Sequence, residues 1–282
     1  MALIEQQMRA GPAVPRPEAG IHRPFPIIRT ARIVRLETFV PGLSALLLVL
    51  LAWEAAVRSG VTASYILPTP LSVLSSLGSL LRDGTLTTNA LVTLEEAGGG
   101  LGIALVLALP MGYLVAHVKT LERLLSPLLA ASQAIPAVAV APLLVTGLGT
   151  GIELKVVVCA VIVIFPLMVN AITAFRGVAR EYLEVARVFG VPAWERILRV
   201  ELPLAAPVLL AGLKVGLTLS LTGAIVGEFV AADQGLGFLL NYYHESFNAQ
   251  AAFATLVVLA VVAISLYSFV SLLERMVTRW QG

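Results

Sequence analysis

The chain has 282 residues, 58% of them hydrophobic and only 13% charged, with a formal net charge of +2. Soluble domains carry about 25% charged and about 45–50% apolar residues, so this composition excludes a single soluble core and demands apolar surface that faces lipid. The small net charge argues against nucleic acid as a partner, and the one cysteine, Cys159, excludes an intrachain disulfide and reads as a small buried thiol inside an apolar run.

Residues 1–40 are polar, basic and Pro-rich, with Arg9, Arg16, Arg23, Arg29, Arg32 and Arg35 set against Glu5, Glu18 and Glu37. Pro12, Pro15, Pro17, Pro24 and Pro26 forbid a continuous helix. A mobile tail ending in a membrane-surface segment is expected. It is too long and basic for an ordinary signal peptide, and no small-residue cleavage site follows. A transmembrane domain is expected over 41–280.

Six apolar segments follow, at about 40–58, 90–117, 124–147, 154–174, 204–227 and 251–273. Each is long enough, or nearly so, for the roughly 20 residues that cross a bilayer core. Helices are the natural spanning element because lipid offers backbone amides no partner. The segments also lack the alternation of a barrel strand. The expected fold is all-α, a polytopic bundle of about six spans.

Fifteen of the nineteen Lys and Arg residues fall on one side if the N-terminus is cytoplasmic, leaving Arg58, Arg82 and Lys155 outside and Lys214 within a span. The 228–250 loop carries Glu228, Asp233 and Glu245 and no cation. The positive-inside rule then puts both termini in the cytoplasm. Within the spans, Gly98, Gly99, Gly100 and Gly102 predict a small-residue face for close helix contact. Pro110, Pro136, Pro142 and Pro166 predict interrupted helices, which either line a pathway or are simply kinked in a packed bundle. Glu54, Glu95, Glu96, Lys214 and Glu228 are ionisable residues in or near spans and are candidate functional groups. Solvation near a span end, or a paired structural lysine at Lys214, accounts for them equally simply.

The segment 174–203 differs from the other loops. Leu183, Ala186, Val188 and Phe189 sit near helical spacing, and Gly190 suits a helix C-cap. Pro192 suits the first turn of a second helix carrying Trp194, Ile197 and Leu198. Two short amphipathic helices at an angle, flanked by arginines, would either lie on headgroups or dock a soluble partner.

The spacing Glu184-x-Ala186-x3-Gly190-x9-Val200-x-Leu202-Pro203 resembles the EAA loop of binding-protein-dependent importer permeases of the ATP-binding cassette class. The chain departs from that pattern only at Val185 and Val200, both apolar. Ile66-Leu-Pro-Thr-Pro70, Ala134-Ile-Pro-Ala-Val-Ala-Val-Ala-Pro-Leu143 and Gly227-Glu-Phe-Val-Ala-Ala-Asp-Gln-Gly-Leu-Gly-Phe238 are similar to the branch that moves nitrate, sulfonates, taurine, riboflavin and thiamine precursors. The resemblance covers about 66–275 and implies a type I importer permease fold. It implies a second permease copy, two copies of a separate ATP-binding subunit, and an extracytoplasmic substrate-binding protein in the bacterial plasma membrane. It places Glu184, Ala186, Gly190, Leu202 and Pro203 in the ATPase-docking loop at 178–203. Pro136, Pro142, Lys214 and Glu228 are candidates for the translocation path.

No cofactor is expected in this chain: none of Lys119, Lys155 and Lys214 follows a glycine as a phosphate-binding G-K-[ST] motif requires, so ATP must sit on another subunit. His22, His117 and His244 lie in different segments, with no metal-ligand or catalytic spacing. An enzyme is therefore not expected, and an ion-coupled secondary transporter, which needs a mid-membrane carboxylate, is the alternative of a different class. Thr146-Gly147-Leu148-Gly149 replaces the Trp-Phe-Gly stretch usual in sulfonate and nitrate permeases, which tilts the expected cargo toward a vitamin or vitamin precursor such as riboflavin or a thiamine pyrimidine, with sulfonate, taurine or nitrate as the alternative.

Overall fold

The computed structural model describes residues 40–60, 66–134 and 137–278, so residues 1–39 of the expected tail and Pro136 lie outside the described residues. The chain falls into two compact units, 1–48 and 49–282. Of the first, only the opening of α1 (Val40–Arg58) is described. Everything else belongs to the second, which among its described residues is helical throughout.

Trp53 of α1 fixes the start of the second unit: its indole N–H donates to the Pro68 carbonyl at 3.0 Å, and its ring lies 5.5 Å from that of Phe253. Helix α2 (Pro70–Arg82) starts where Thr69 accepts from the Ser72 amide and Pro70 supplies a preset first turn. Helices α3 (Thr85–His117) and α6 (Ile152–Arg176) then pack along their lengths. Between them run α4 (Lys119–Ala134) and α5 (Ala137–Leu148). After α6 come the short helices α7 (Arg180–Val188) and α8 (Ala193–Arg196), a π turn at Ile197–Glu201, α9 (Leu202–Ala231), α10 (Leu236–Glu245) and α11 (Ala249–Thr278).

Four of these stretches are long and apolar enough to cross a membrane: Thr85–His117, Ile152–Arg176, Ala193–Ala231 and Ala249–Val277. They contain four of the six expected spans. The first expected span, 40–58, forms the 19-residue α1. The third, 124–147, is divided between α4 and the 12-residue α5.

Two sequence expectations need correction. Pro110, Pro142 and Pro166 interrupt nothing, because α3, α5 and α6 each continue through their proline. A proline removes one backbone hydrogen bond, and packed neighbours can hold the helix together around that loss. The glycine face is also narrower at its start and longer than expected. Gly98 and Gly102 meet open space, whereas a Cβ on Gly100 would lie 2.1 Å from the Cys159 Cβ. The contact stripe runs on through buried Ala104, Ala108 and Gly112. On α9 a matching stripe of Gly212, Gly216, Ser220, Gly223 and Gly227 lies against α6, and a Cβ on Gly223 would come within 2.9 Å of the Cys159 Cα. Small residues let α6 be gripped from both sides, the arrangement that dispersion packing needs in the absence of a hydrophobic drive. Cys159 is the buried thiol at this crossing.

Candidate functional site: the loop between α6 and α9

Helix α7 ends in a complete Schellman turn. The Gly190 amide donates to the Arg187 carbonyl at 2.9 Å and the Val191 amide to the Ala186 carbonyl at 3.0 Å, with Gly190 at φ +70°. In that conformation a Cβ would crowd the following carbonyl oxygen, so any other residue is disfavoured even though the space around Gly190 is open. The turn redirects the chain into α8 after Pro192. The two short helices read from the sequence are therefore present.

Their apolar faces divide differently from the expectation. Leu183 packs with the cluster of Ala171, Ala174, Phe175, Val178 and Ala205, and Ala186 is buried beside it. Val188 and Phe189, expected on that same face, are instead 86% and 81% exposed, and Tyr182, Val185, Trp194 and Leu198 are also exposed. The reason is geometric. Residues three apart share a helix face, so Leu183 and Ala186 face inward together, while Tyr182, Val185 and Val188 form the opposite row. Glu184 is exposed and forms no ion pair among the described residues. Leu202 and Pro203 open α9, both at its exposed edge. Pro203 cannot donate to the Arg199 carbonyl and its ring would crowd that oxygen. The helix widens into the π turn immediately before it, and Leu202 N–H reaches back to Ile197.

Sequence reasoning missed Glu201, which is 1% exposed at the end of this π turn. Its Oε2 lies 3.0 Å from His117 Nε2 at the end of α3, and its Oε1 accepts from Arg196 Nε at 3.4 Å. The His117 ring lies 4.2 Å from that of Tyr113, tilted by 34°, and Tyr113 meets Phe175 edge-on at 5.1 Å. One carboxylate thus ties α8 to α3. A hint was present in the sequence: an acidic residue one position before an apolar span is out of place unless partnered. Nearby, Arg176 pairs with Glu122 at 2.8 Å and donates to the Val115 carbonyl at 3.3 Å. The guanidinium holds the exposed Glu122 carboxyl below the ordinary carboxylate range.

The opposite end of the bundle gathers the other ionisable candidates. Glu96 and Lys155 form a buried ion pair at 2.5 Å. Glu228 lies beside them; its Oε1 accepts from Thr93 Oγ1 at 2.6 Å and its Oε2 from the Gly237 amide at 2.5 Å. Thr93 Oγ1 also accepts from the Leu236 amide at 2.8 Å, and Asn89 Oδ1 from the Gly235 amide at 2.6 Å. Glu228 therefore latches the start of α10 onto α3 and α9. A cavity of about 690 Å³ opens here, bordered by Glu95, Glu96, Lys155 and Asp233. Glu54 is elsewhere, paired with Arg58 at 2.7 Å. Lys214 joins Glu274 of α11 and lies 5.4 Å from the Tyr267 ring centre. Pro142 is exposed on α5. The path candidates Pro142, Lys214 and Glu228 thus occupy three separate places. Among the described residues no three His, Cys, Asp or Glu side chains converge as a metal site.

Residues 100–279 match the family described as binding-protein-dependent transport system inner membrane component. The chain is 41% identical over 255 residues to the riboflavin transport system permease protein RibX of Chloroflexus aurantiacus, covering 90% of this chain and 95% of that protein. It is 29% identical over 235 residues to the formylaminopyrimidine transport permease protein ThiX of Halalkalibacterium halodurans, covering 83% and 93% respectively. Among solved structures, an inward-facing conformation of the MetNI methionine ABC transporter shares the fold with a TM-score of 0.63 at 21% identity, over 70% of this chain and 98% of that one. The chain therefore belongs to the binding-protein-dependent transport system inner membrane component family, as a multi-pass permease of the ABC importer class.

Proposed function

We propose that this permease serves an ATP-driven importer of a small nutrient, a vitamin or vitamin precursor such as riboflavin or a thiamine pyrimidine, and that the 178–203 loop is the handle by which a separate ATPase moves it. The observation that carries the docking role is the exposed apolar knob of Tyr182, Val185, Val188, Phe189 and Trp194 on a rigid turn. Leaving a large apolar side chain in water forgoes about 1.5–3 kcal/mol of burial, and a contiguous set of them marks a partner surface. Glu184 would offer its carboxylate to a basic group of the ATPase. Ala186 would let α7 lie close on the bundle, Gly190 would set the bend, and Leu202 and Pro203 would pass the motion into α9.

The partners are two ATP-binding subunits, a second permease copy and an extracytoplasmic binding protein, the last supported by the family's description. ATP is held outside this chain, and the chain itself performs no catalysis. Both termini are cytoplasmic, as the segregation of Lys and Arg supports. Nucleotide-driven closure of the ATPases would bind the knob differently in the inward- and outward-open states, since equal contacts in both would shift nothing. Cargo would pass between the two permease copies, with Pro136, Pro142, Lys214 and Glu228 as candidate bordering positions. The vitamin reading rests on the cargo in the names of RibX and ThiX, together with Thr146-Gly147-Leu148-Gly149.

Co-purification from the membrane tests the docking role. An ATPase subunit should come down with the wild type and be lost with Gly190→Asp and Glu184→Arg. Retention by both variants would refute the handle.

A further inference from the structure

Asn170 sits on α6 six residues before Arg176, roughly 9 Å of helix rise from that end at ~1.5 Å per residue. It is half-buried, and neither its amide NH2 nor its oxygen makes a hydrogen bond among the described residues. Such a group facing hydrocarbon would cost several kcal/mol, about 4–8 for a fully unbonded amide, so something polar must meet it. The amide lies over Gly212 of α9, where a Cβ would come within 2.0 Å of its oxygen. The pair forms the floor of a groove of about 500 Å³ between α6 and α9, walled by Pro166, Val169, Thr173 and Val215. The Thr173 hydroxyl is already bonded to the Val169 carbonyl at 2.9 Å. Asn170 is therefore the one polar group of the lining with its donors and acceptor both unused.

The lining carries no charge. The nearest cation in sequence, Lys214, is held by Glu274 and the Tyr267 face on the side of α11. A sulfonate, taurine or nitrate anion would find no counter-charge in this groove. An amide instead presents a donor and an acceptor side by side, the complement of a lactam or imide edge, and the apolar walls suit a flat ring. The geometry points to Asn170, bedded on Gly212, as a site where a neutral planar heterocycle with an amide or imide edge is hydrogen-bonded during its passage. This rests on the importer reading above and narrows its cargo.

The test uses the complete transporter, with its ATPase and binding protein, in proteoliposomes given labelled riboflavin, formylaminopyrimidine or taurine. Asn170→Leu should cut uptake of the heterocycle at least tenfold, and Gly212→Ala, which keeps the asparagine but displaces its amide, should cut it several-fold. Asn170→Gln should restore part of the loss, and the ATPase should co-purify with every variant. Unchanged uptake in both Asn170→Leu and Gly212→Ala would overturn the site. Loss of pairing between permease copies in those variants would also overturn it, making the groove a subunit seam. A wild type that moves taurine, or none of the three probes, overturns the cargo class. Failure of the wild type to hold its ATPase would instead sink the importer reading.

Discussion

Glu228 and Gly235 are fitted to each other so closely that neither can change alone. A Cβ on Gly235 would fall 2.2 Å from the Glu228 carboxyl, and Gly235 has φ +114°, a conformation that disfavours any side chain. Gly235→Ala should expel the carboxyl from the Thr93 and Gly237 donors and destabilise the protein by about 2–4 kcal/mol, the sum of backbone strain and an unmade buried hydrogen bond. Thermal unfolding of the purified protein measures this, and an unchanged midpoint would show that the α10 latch carries no weight. Lys155 and Glu96 pose a related case. Lys155→Met leaves a buried carboxylate unpaired and should cost about 3–5 kcal/mol, whereas Lys155→Met with Glu96→Leu should recover most of that loss. A double-mutant cycle that is simply additive would mean the 2.5 Å pair is not a coupled unit.

At the level of elements, the loop is held by three devices: the Schellman turn at Gly190, the π turn before Pro203, and Glu201. Gly190→Ala should raise the local cost of the bend by about 1–2 kcal/mol through its positive φ and weaken ATPase retention in detergent without unfolding the spans. Glu201→Ala removes the carboxylate shared by Arg196 and His117. It should increase hydrogen exchange through Ala193–Glu201 while that in α3 above His117 stays slow, and protection equal to wild type would show the tie to be idle. The α4–α6 link has a defined pH response. Because Arg176 lowers the Glu122 carboxyl below its ordinary range, the pair contributes at pH values above that ordinary range and is lost as pH falls through the lowered value. Replacing Arg176 with Gln should therefore lower thermal stability more at pH 7 than in strong acid, where Glu122 is protonated in both proteins and only the bond to the Val115 carbonyl distinguishes them.

For the whole molecule, a chain with one buried cysteine is already suited to accessibility mapping. On the proposed topology, a membrane-impermeant maleimide should label Asp233→Cys on intact cells and Trp194→Cys only after permeabilisation. Trp194→Cys labelled on intact cells would invert the topology and remove the loop from reach of any ATPase. Helix α3 has 33 residues and therefore about 50 Å of length at ~1.5 Å per residue, more than a bilayer core of about 30 Å. Asn89 and Thr93 lie toward one end of it and Tyr113 and His117 toward the other, where α10 and Glu201 respectively are held.

Apolar run length, the segregation of Lys and Arg, and the fixed spacing from Glu184 to Pro203 depend on local order alone. A helical membrane protein with two short helices around Gly190 was accordingly legible from the sequence. Which side of α7 faces outward was not, because Val188 and Phe189 look apolar in either orientation and only the packing of Leu183 and Ala186 decides between them. The same holds for the glycines. Gly98 and Gly100 read alike along the chain, yet only Gly100 meets another helix. Glu201 and Glu228 belong to the tertiary structure for one physical reason: a polar group in a membrane protein takes its meaning from the partner that satisfies it, and Glu201 finds His117 on α3 while Glu228 finds Thr93 135 residues away.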